Sequence, residues 1–166
     1  IFNNGSLTIK ESNFTYNNAS SGGAVYNNGS LIIINSSFAN NTASQGAAIF
    51  NNGQLNGEKS NFTQNKAENN GGAIASFKKA DVRNSIFLSN SASNGGAIYS
   101  MDADDGLIVQ YSIFDGNDAQ IGKAVAGMNL FLDNNFWGLM NHTNLIYNLS
   151  SAESVEPVSD FKFAIS

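Results

Sequence analysis

Residues two apart recur along the chain in one pattern, as Leu7/Ile9, Leu31/Ile33, Leu55/Gly57, Ala80/Val82, Leu107/Val109 and Leu130/Leu132. A period of two marks a strand with one buried face, so each pair predicts a short strand that turns those positions inward. A second strand follows in each unit and turns a serine and a phenylalanine inward: Ser12/Phe14, Ser36/Phe38, Ser60/Phe62, Ser85/Phe87 and Ser112/Phe114, with Asn134/Phe136 as a degenerate last copy. A third runs through the Gly-Ala-Val/Ile segment and includes Tyr26, Phe50 and Tyr99. The pattern leaves open whether Ala24 or Val25, and their equivalents, point inward. Small and β-branched residues both recur there, and the glycine pair can shift the pleat.

The interval is regular. Phe stands at 14, 38, 62, 87, 114 and 136, in steps of 24, 24, 25, 27 and 22 residues. Asn follows three later at 17, 41, 65, 90 and 117, and Gly22, Gly46, Gly71, Gly95 and Gly122 open the next segment, each with alanine two residues on. Helical repeats are excluded because the units are cut by Gly and by Asn-Asn or Asn-Gly. A leucine-rich repeat is excluded because the unit from Gly46 to Asn69 contains only Leu55. What remains is all-β: a parallel β-helix, or solenoid, of about six coils with three short strands per turn.

Stacking one coil on the next at roughly 4.8 Å gives a rod of about 29 Å and sets like residue over like. Phe14, Phe38, Phe62, Phe87 and Phe114 then form one column, each stacked pair adding about 0.5–1.5 kcal/mol beyond its buried area. Asn17, Asn41, Asn65, Asn90 and Asn117 form a second, in which each amide donates to the next carboxamide oxygen, since an unpaired buried amide costs about 1–3 kcal/mol. Ala19, Ala43, Ala67, Ala92 and Ala119 supply the small residue that a tight corner needs. The variable part of each unit is Asn27-Asn28-Gly29, Asn51-Asn52-Gly53, Phe77-Lys78-Lys79 or the longer Met101-Asp102-Ala103-Asp104-Asp105-Gly106. Such segments emerge as loops on one side, where they form turns and leave side chains free to bind.

The repeats span 1–138, and the period lapses after Asn134-Asn135-Phe136-Trp137-Gly138. The tail, 139–166, alternates like a strand at its end and is expected to cap the solenoid or to lead into a further module. Trp137 is expected to plug the end of the core. Ile1-Phe2 read as the middle of a repeat unit, so the chain is expected to be a piece of a longer protein.

Composition narrows the chemistry. The 27 Asn and 21 Ser, with only 13% charged residues, leave a surface hydrated by amides and hydroxyls, which suits an extracellular protein. A formal charge of −5 without any Lys/Arg cluster argues against nucleic acid or an anionic membrane surface as partner. No apolar run is long enough to span a bilayer, and with no Cys there is neither a disulfide nor a thiolate metal site. No phosphate loop, His-Glu-x-x-His pair or nucleophile elbow occurs, and the single His142 has no Cys or Asp at ligand spacing. Asp102, Asp104, Asp105, Asp115 and Asp118 form the one acidic cluster. Joined by Asp81 from a neighbouring coil, it is the only source of the paired carboxylates that glycoside hydrolysis requires, and it offers oxygen ligands for Ca²⁺ without the spacing of a calcium loop. Glycosylation sequons begin at Asn4, Asn13, Asn18, Asn28, Asn35, Asn40, Asn61, Asn141 and Asn148, of which the turn residues Asn18 and Asn28 are the better candidates and Asn35 is excluded if it points inward.

Gly71-Gly72-Ala73-Ile74, Gly95-Gly96-Ala97-Ile98, Phe62-Thr63-Gln64-Asn65 and Phe87-Leu88-Ser89-Asn90 resemble the polymorphic outer-membrane protein repeat. With the Asn-Asn-x-Trp-Gly stretch they are also similar to adhesin-like surface proteins of methanogenic archaea. The resemblance implies a right-handed, single-stranded parallel β-helix, a hand that parallel crossovers also favour. It further implies a place outside the cell and attachment to other cells or to glycans. Gly46-Ala47-Ala48-Ile49 and Gly122-Lys123-Ala124-Val125 depart from the glycine pair, which is expected to bend those coils or expose a side chain. The expected function is therefore a non-catalytic surface adhesin that binds surface glycans or proteins of another cell. Tyr26, Tyr99, Asp102, Asp104 and Asp105 are its candidate contacts, and neither a cofactor nor a metal centre is expected. A structural stalk and a polysaccharide lyase or hydrolase on the same scaffold are the alternatives.

Overall fold

A computed structural model describes residues 1–138, 144–150 and, as backbone, 153–155. His142, Asn141 and the alternating stretch 161–165 lie outside the described residues. The chain is a parallel β-solenoid of about six turns in which each strand pairs with its counterpart one repeat away. The first sheet, here the aromatic face, holds Phe2–Asn3, Val25–Asn27, Ile49–Asn51, Ile74–Ser76, Ile98–Ser100, Val125–Gly127 and Ile146–Asn148, and closes on the antiparallel strand Glu153–Val155. An aliphatic face of six strands runs from Ser6–Lys10 to Leu130–Phe131, and a phenylalanine face of five runs from Asn13–Thr15 to Ile113–Asp115.

A fourth, short face was not anticipated: Thr42–Gln45 pairs in parallel with Lys66–Asn70, and isolated bridges extend it to Asn18, Ser91 and Asp118. Apart from Thr42, its residues have little β-propensity, and inter-coil backbone bonds such as Lys66 N–H to the Asn41 carbonyl and Ala67 N–H to the Ser91 carbonyl hold it extended.

Left-handed backbone residues turn the corners. Glu11, Asn35, Lys59, Asn84, Tyr111 and Asn134 adopt φ of 47–58° between the aliphatic and phenylalanine faces, and Tyr16, Asn40, Gln64, Ser89 and Gly116 adopt φ of 53–62° one strand later. At the third corner a side chain is impossible: a Cβ on Gly71 (φ +63°) would lie 2.0 Å from the Ile74 carbonyl oxygen.

Both open positions of the third strand are buried, Ala24 at the corner and Val25 in the strand, because the Ala24 and Val25 N–H groups share the Ala48 carbonyl. Neither atypical glycine segment bends its coil. Ala47 is buried, Lys123 stays half-exposed, and Ile49↔Ile74 and Ile98↔Val125 keep register.

Inside, the phenylalanines stack from coil to coil with centroids 4.8–5.1 Å apart and planes within 8°. The asparagine column is equally regular. Asn17, Asn41, Asn65 and Asn90 each donate Nδ2 to the next residue's Oδ1 at 2.9–3.0 Å, ending on Asn117. From Asn41 onward Nδ2 also donates to the preceding coil's phenylalanine carbonyl. Each Oδ1 accepts the preceding asparagine's backbone N–H as well, so Asn41, Asn65 and Asn90 are fully bonded within the core. A serine column runs parallel, each Oγ accepting a backbone N–H from the previous coil, as in Ser36 N–H to Ser60 Oγ at 3.2 Å.

The last copy differs from the sequence reading. Asn135 and Trp137, rather than Asn134 and Phe136, face inward. Asn135 Oδ1 accepts the Ser112 N–H at 2.9 Å, and the Trp137 ring stacks on Phe114 at 4.8 Å. Asn134 is the ordinary corner residue, equivalent to Tyr111, and Asn135 and Trp137 follow it at the offsets of Ser112 and Phe114, so Trp137, not Phe136, is the counterpart of the phenylalanine column. Trp137 thus covers the end of the phenylalanine column, as expected, with its Nε1 unpartnered. Beyond it the aromatic face gains one further rung, Ile146–Asn148, which repeats the Val25-Tyr26-Asn27 arrangement on Val125–Gly127.

Candidate functional site

The loops next to the aromatic face were expected to carry contacts, and in the two Asn-Asn-Gly loops the first residue proves to be internal. Asn3, Asn27 and Asn51 form a second buried column, Nδ2 to Oδ1 at 2.7 Å in both steps, continued by Asn51 Nδ2 to Ser76 Oγ at 2.8 Å. It stops at Ser100, whose hydroxyl has no partner because Gly127 stands at the next register position. The signal for this column was present as the repeated Asn-Asn of the loops. Turn chemistry explains that dipeptide equally well, which is why it was missed. Only the second asparagine faces solvent: Asn28 donates to Asn4 Oδ1 at 2.9 Å and accepts from Asn52 at 3.0 Å.

Tyr26 and Tyr99 lie on one stripe. Phe2, Tyr26, Phe50, Phe77 and Tyr99 stack in series with centroids 5.4, 4.8, 5.2 and 6.2 Å apart along the outside of the aromatic face. Phe2 and Phe77 were not foreseen. Phe77 lies two residues beyond the strand position occupied by Ala75, which is buried, and its ring fills the gap between Phe50 and Tyr99. Burial within the stripe raises the Tyr99 hydroxyl above its usual range. Tyr26 and Phe50 are covered by stacked neighbours, whereas Phe77 and Tyr99 meet at a tilt of 56° and Phe2 at the end of the stripe is exposed.

The acidic loop does not converge. Asp102 is buried and its Oδ1 accepts the Asp104 N–H at 3.2 Å, forming a local turn, while Asp104 and Asp105 point into solvent. Asp81 lies on the aliphatic face in register with Asn56 and Ile108, paired with Arg83 at 2.7 and 2.9 Å. Hydrogen bonding to Asp81 raises the Arg83 guanidinium above its ordinary value. Among the described residues no three His, Cys, Asp or Glu side chains stand together to hold a metal, so the geometry offers no Ca²⁺ cage.

The described sequon asparagines are exposed at 4, 13, 18, 28, 35 and 61 and half-buried at 40 and 148. Asn35 points outward at its corner, so burial does not exclude it.

The short face carries a feature that no motif announced, a groove of about 590 Å³. Asn18, Ser20, Thr42, Ser44, Lys66 and Glu68 line it in successive coils, with Ala43 and Ala67 between them buried and turned inward. Ser44 Oγ donates to Glu68 Oε2 at 2.8 Å. Tyr16, two residues before Asn18, is 79% exposed, and its ring meets no other ring among the described residues.

A family model described as the Chlamydia polymorphic membrane protein repeat matches residues 59–76 and 84–101. Each stretch contains one Phe-x-x-Asn segment and one Gly-Gly-Ala-Ile segment, the elements of the phenylalanine column, the asparagine column and the glycine corner. This partial match to a β-helix repeat fits a repeat-solenoid protein. No curated protein and no solved structure matches the chain.

Proposed function

We propose that this chain is a β-helical segment of a cell-surface adhesin, placed outside the cell and recognising glycans or proteins of another cell without a catalytic step. The observation that carries the reading is the stripe of outward aromatic side chains, Phe2 to Tyr99, with the Asp104 and Asp105 carboxylates on the adjoining loop. Half-exposed rings, tyrosine hydroxyls and free carboxylates on a rigid scaffold make many weak contacts, which repetition along a surface turns into useful avidity.

Attachment of the purified chain to cells, or to a glycan array, should fall at least about tenfold when Tyr26→Ala, Tyr99→Ala, Asp104→Ala and Asp105→Ala are combined. Unchanged attachment overturns the placement. A stalk that only holds other modules away from the envelope is the second reading, favoured by the stripe rings spending their faces on one another. Adhesion that depends on the number of coils and not on these side chains would select it.

A further inference from the structure

We propose a second recognition site, where the inner asparagine column ends at Asn117: the cavity there binds the acetamido group of a terminal N-acetylhexosamine. The proposal deepens the adhesin reading, on which its choice of a glycan rests, and uses no residue of the aromatic stripe.

The column ends on unanswered donors. In each earlier coil the backbone N–H and one Nδ2 hydrogen of an asparagine converge on a single carboxamide oxygen, as those of Asn90 do on Asn117 Oδ1 at 3.0 and 2.9 Å. Trp137 continues the ring column, but no asparagine stands three residues after it. Asn117 gives one Nδ2 hydrogen to the Phe87 carbonyl at 2.9 Å, while its backbone N–H and its other Nδ2 hydrogen meet no acceptor among the described residues. Only 9% of Asn117 is exposed, so both donors carry the cost of a buried group left unpaired.

The same residue lines a cavity of about 290 Å³, walled by Trp137 and Leu145 and rimmed by Asp115, Asp118 and Lys123. Trp137, itself buried, keeps its Nε1 without a partner in that wall. A backbone N–H and a side-chain N–H are thus held in the arrangement that four earlier steps of the column use to bind one oxygen.

Charge and shape select the ligand. Two carboxylates against one ammonium at the rim disfavour an anion, so the oxygen belongs to a neutral group, and an amide carbonyl is the group the column itself uses. An acetamido group brings that carbonyl together with a methyl that packs on the Trp137 and Leu145 wall. The sugar ring that carries it presents hydroxyl donors to the exposed Asp115 and Asp118 carboxylates. At about 290 Å³ the cavity sits at the lower edge of the roughly 300–1,000 Å³ common to small-ligand sites, which suits one terminal sugar.

A ¹⁵N-edited NMR titration of the whole chain tests the site. The probes are the methyl β-glycosides of N-acetylglucosamine and N-acetylgalactosamine, the corresponding glucoside and galactoside, and N-acetylglycine methylamide as a peptide amide. At least one acetylated sugar should shift the Asn117 backbone and Nδ2 signals and bind at least about tenfold more tightly than its counterpart without the acetamido group. Asp115→Ala/Asp118→Ala should weaken that binding about tenfold. Both positions are exposed, and thermal unfolding checks that the variant is folded. Unchanged affinity in this variant, or no shift at Asn117 with any probe, overturns the site. Equal binding of the plain glycosides, or tighter binding of the peptide amide, overturns the ligand class. Shifts confined to Tyr26 and Tyr99 overturn this site and leave the adhesin reading standing, and continued attachment to cells separates any of these failures from that of the proposed function.

Discussion

Two columns of asparagine run the length of several coils with the same residue at the same one-coil spacing, one inside the solenoid and one outside. Asn41, Asn65 and Asn90 are wholly buried and every donor and acceptor they carry is used. Asn4, Asn28 and Asn52 are exposed and joined by single side-chain bonds of 2.9 and 3.0 Å. Where water is absent, leaving a partner out costs the full desolvation of the orphaned group. Where water is present, a lost bond is replaced at once. A repeated residue is therefore no guide to its energetic weight until its side of the wall is known.

Removing the neighbour that keeps the inner column dry has the largest effect. Phe62→Ala opens a cavity between Phe38 and Phe87, and the loss should be about 3–5 kcal/mol in chemical denaturation. Asn65→Ala strands the two Asn41 donors and removes the bonds from Asn65 Nδ2 to the Phe38 carbonyl and to Asn90 Oδ1, which keeps only the backbone N–H of residue 65, and should cost about 3 kcal/mol. Either change falling below about 1 kcal/mol would mean that the column is wet. On the outside, Phe50→Ala interrupts the aromatic stripe between Tyr26 and Phe77 and should cost about 1–2 kcal/mol. Asn28→Ala, which deletes the middle of the exposed column, should stay within about 0.5 kcal/mol. A loss equal to that of Asn65→Ala would erase the distinction between the two columns.

The smallest effect is on pH dependence. Burial holds the Tyr99 hydroxyl above its usual value, so the folded chain favours the neutral phenol. The resulting stability is complete below about pH 10, the unfolded value, and is lost as pH rises through the higher folded value. Tyr99→Phe should make the alkaline decline of the melting temperature shallower and leave it unchanged at neutral pH.

The phenylalanine and asparagine columns were legible because a solenoid converts sequence period directly into spatial contact: Phe38, Phe62 and Phe87 need only be counted to be stacked. The inward pairs of the aliphatic strands were legible for the same reason. The last coil was misread because Phe136 looked like the next phenylalanine of the column, whereas Trp137, one residue later, holds that register position on Phe114. The Asn3–Asn27–Asn51 column was hidden by an Asn-Asn pair whose two members face opposite sides of the wall. Of the candidate site, the positions of Tyr26 and Tyr99 on one face were readable, but Phe77 was not, since it reaches the stripe from outside the strand register. The groove of the short face is lined mainly by small polar residues, with Lys66 and Glu68, and these announce nothing in a chain this rich in Asn and Ser.

The central claim is that each repeat makes one circuit and sets its phenylalanine on that of its neighbour. Aromatic NOEs in a chain carrying selectively labelled phenylalanine test this most directly. The account predicts an unbroken series of contacts, Phe14 to Phe38, Phe38 to Phe62, Phe62 to Phe87 and Phe87 to Phe114, with Phe114 also touching Trp137 and none between Phe38 and Phe87. The absence of the Phe38–Phe62 contact, or a contact that skips a repeat, would contradict it.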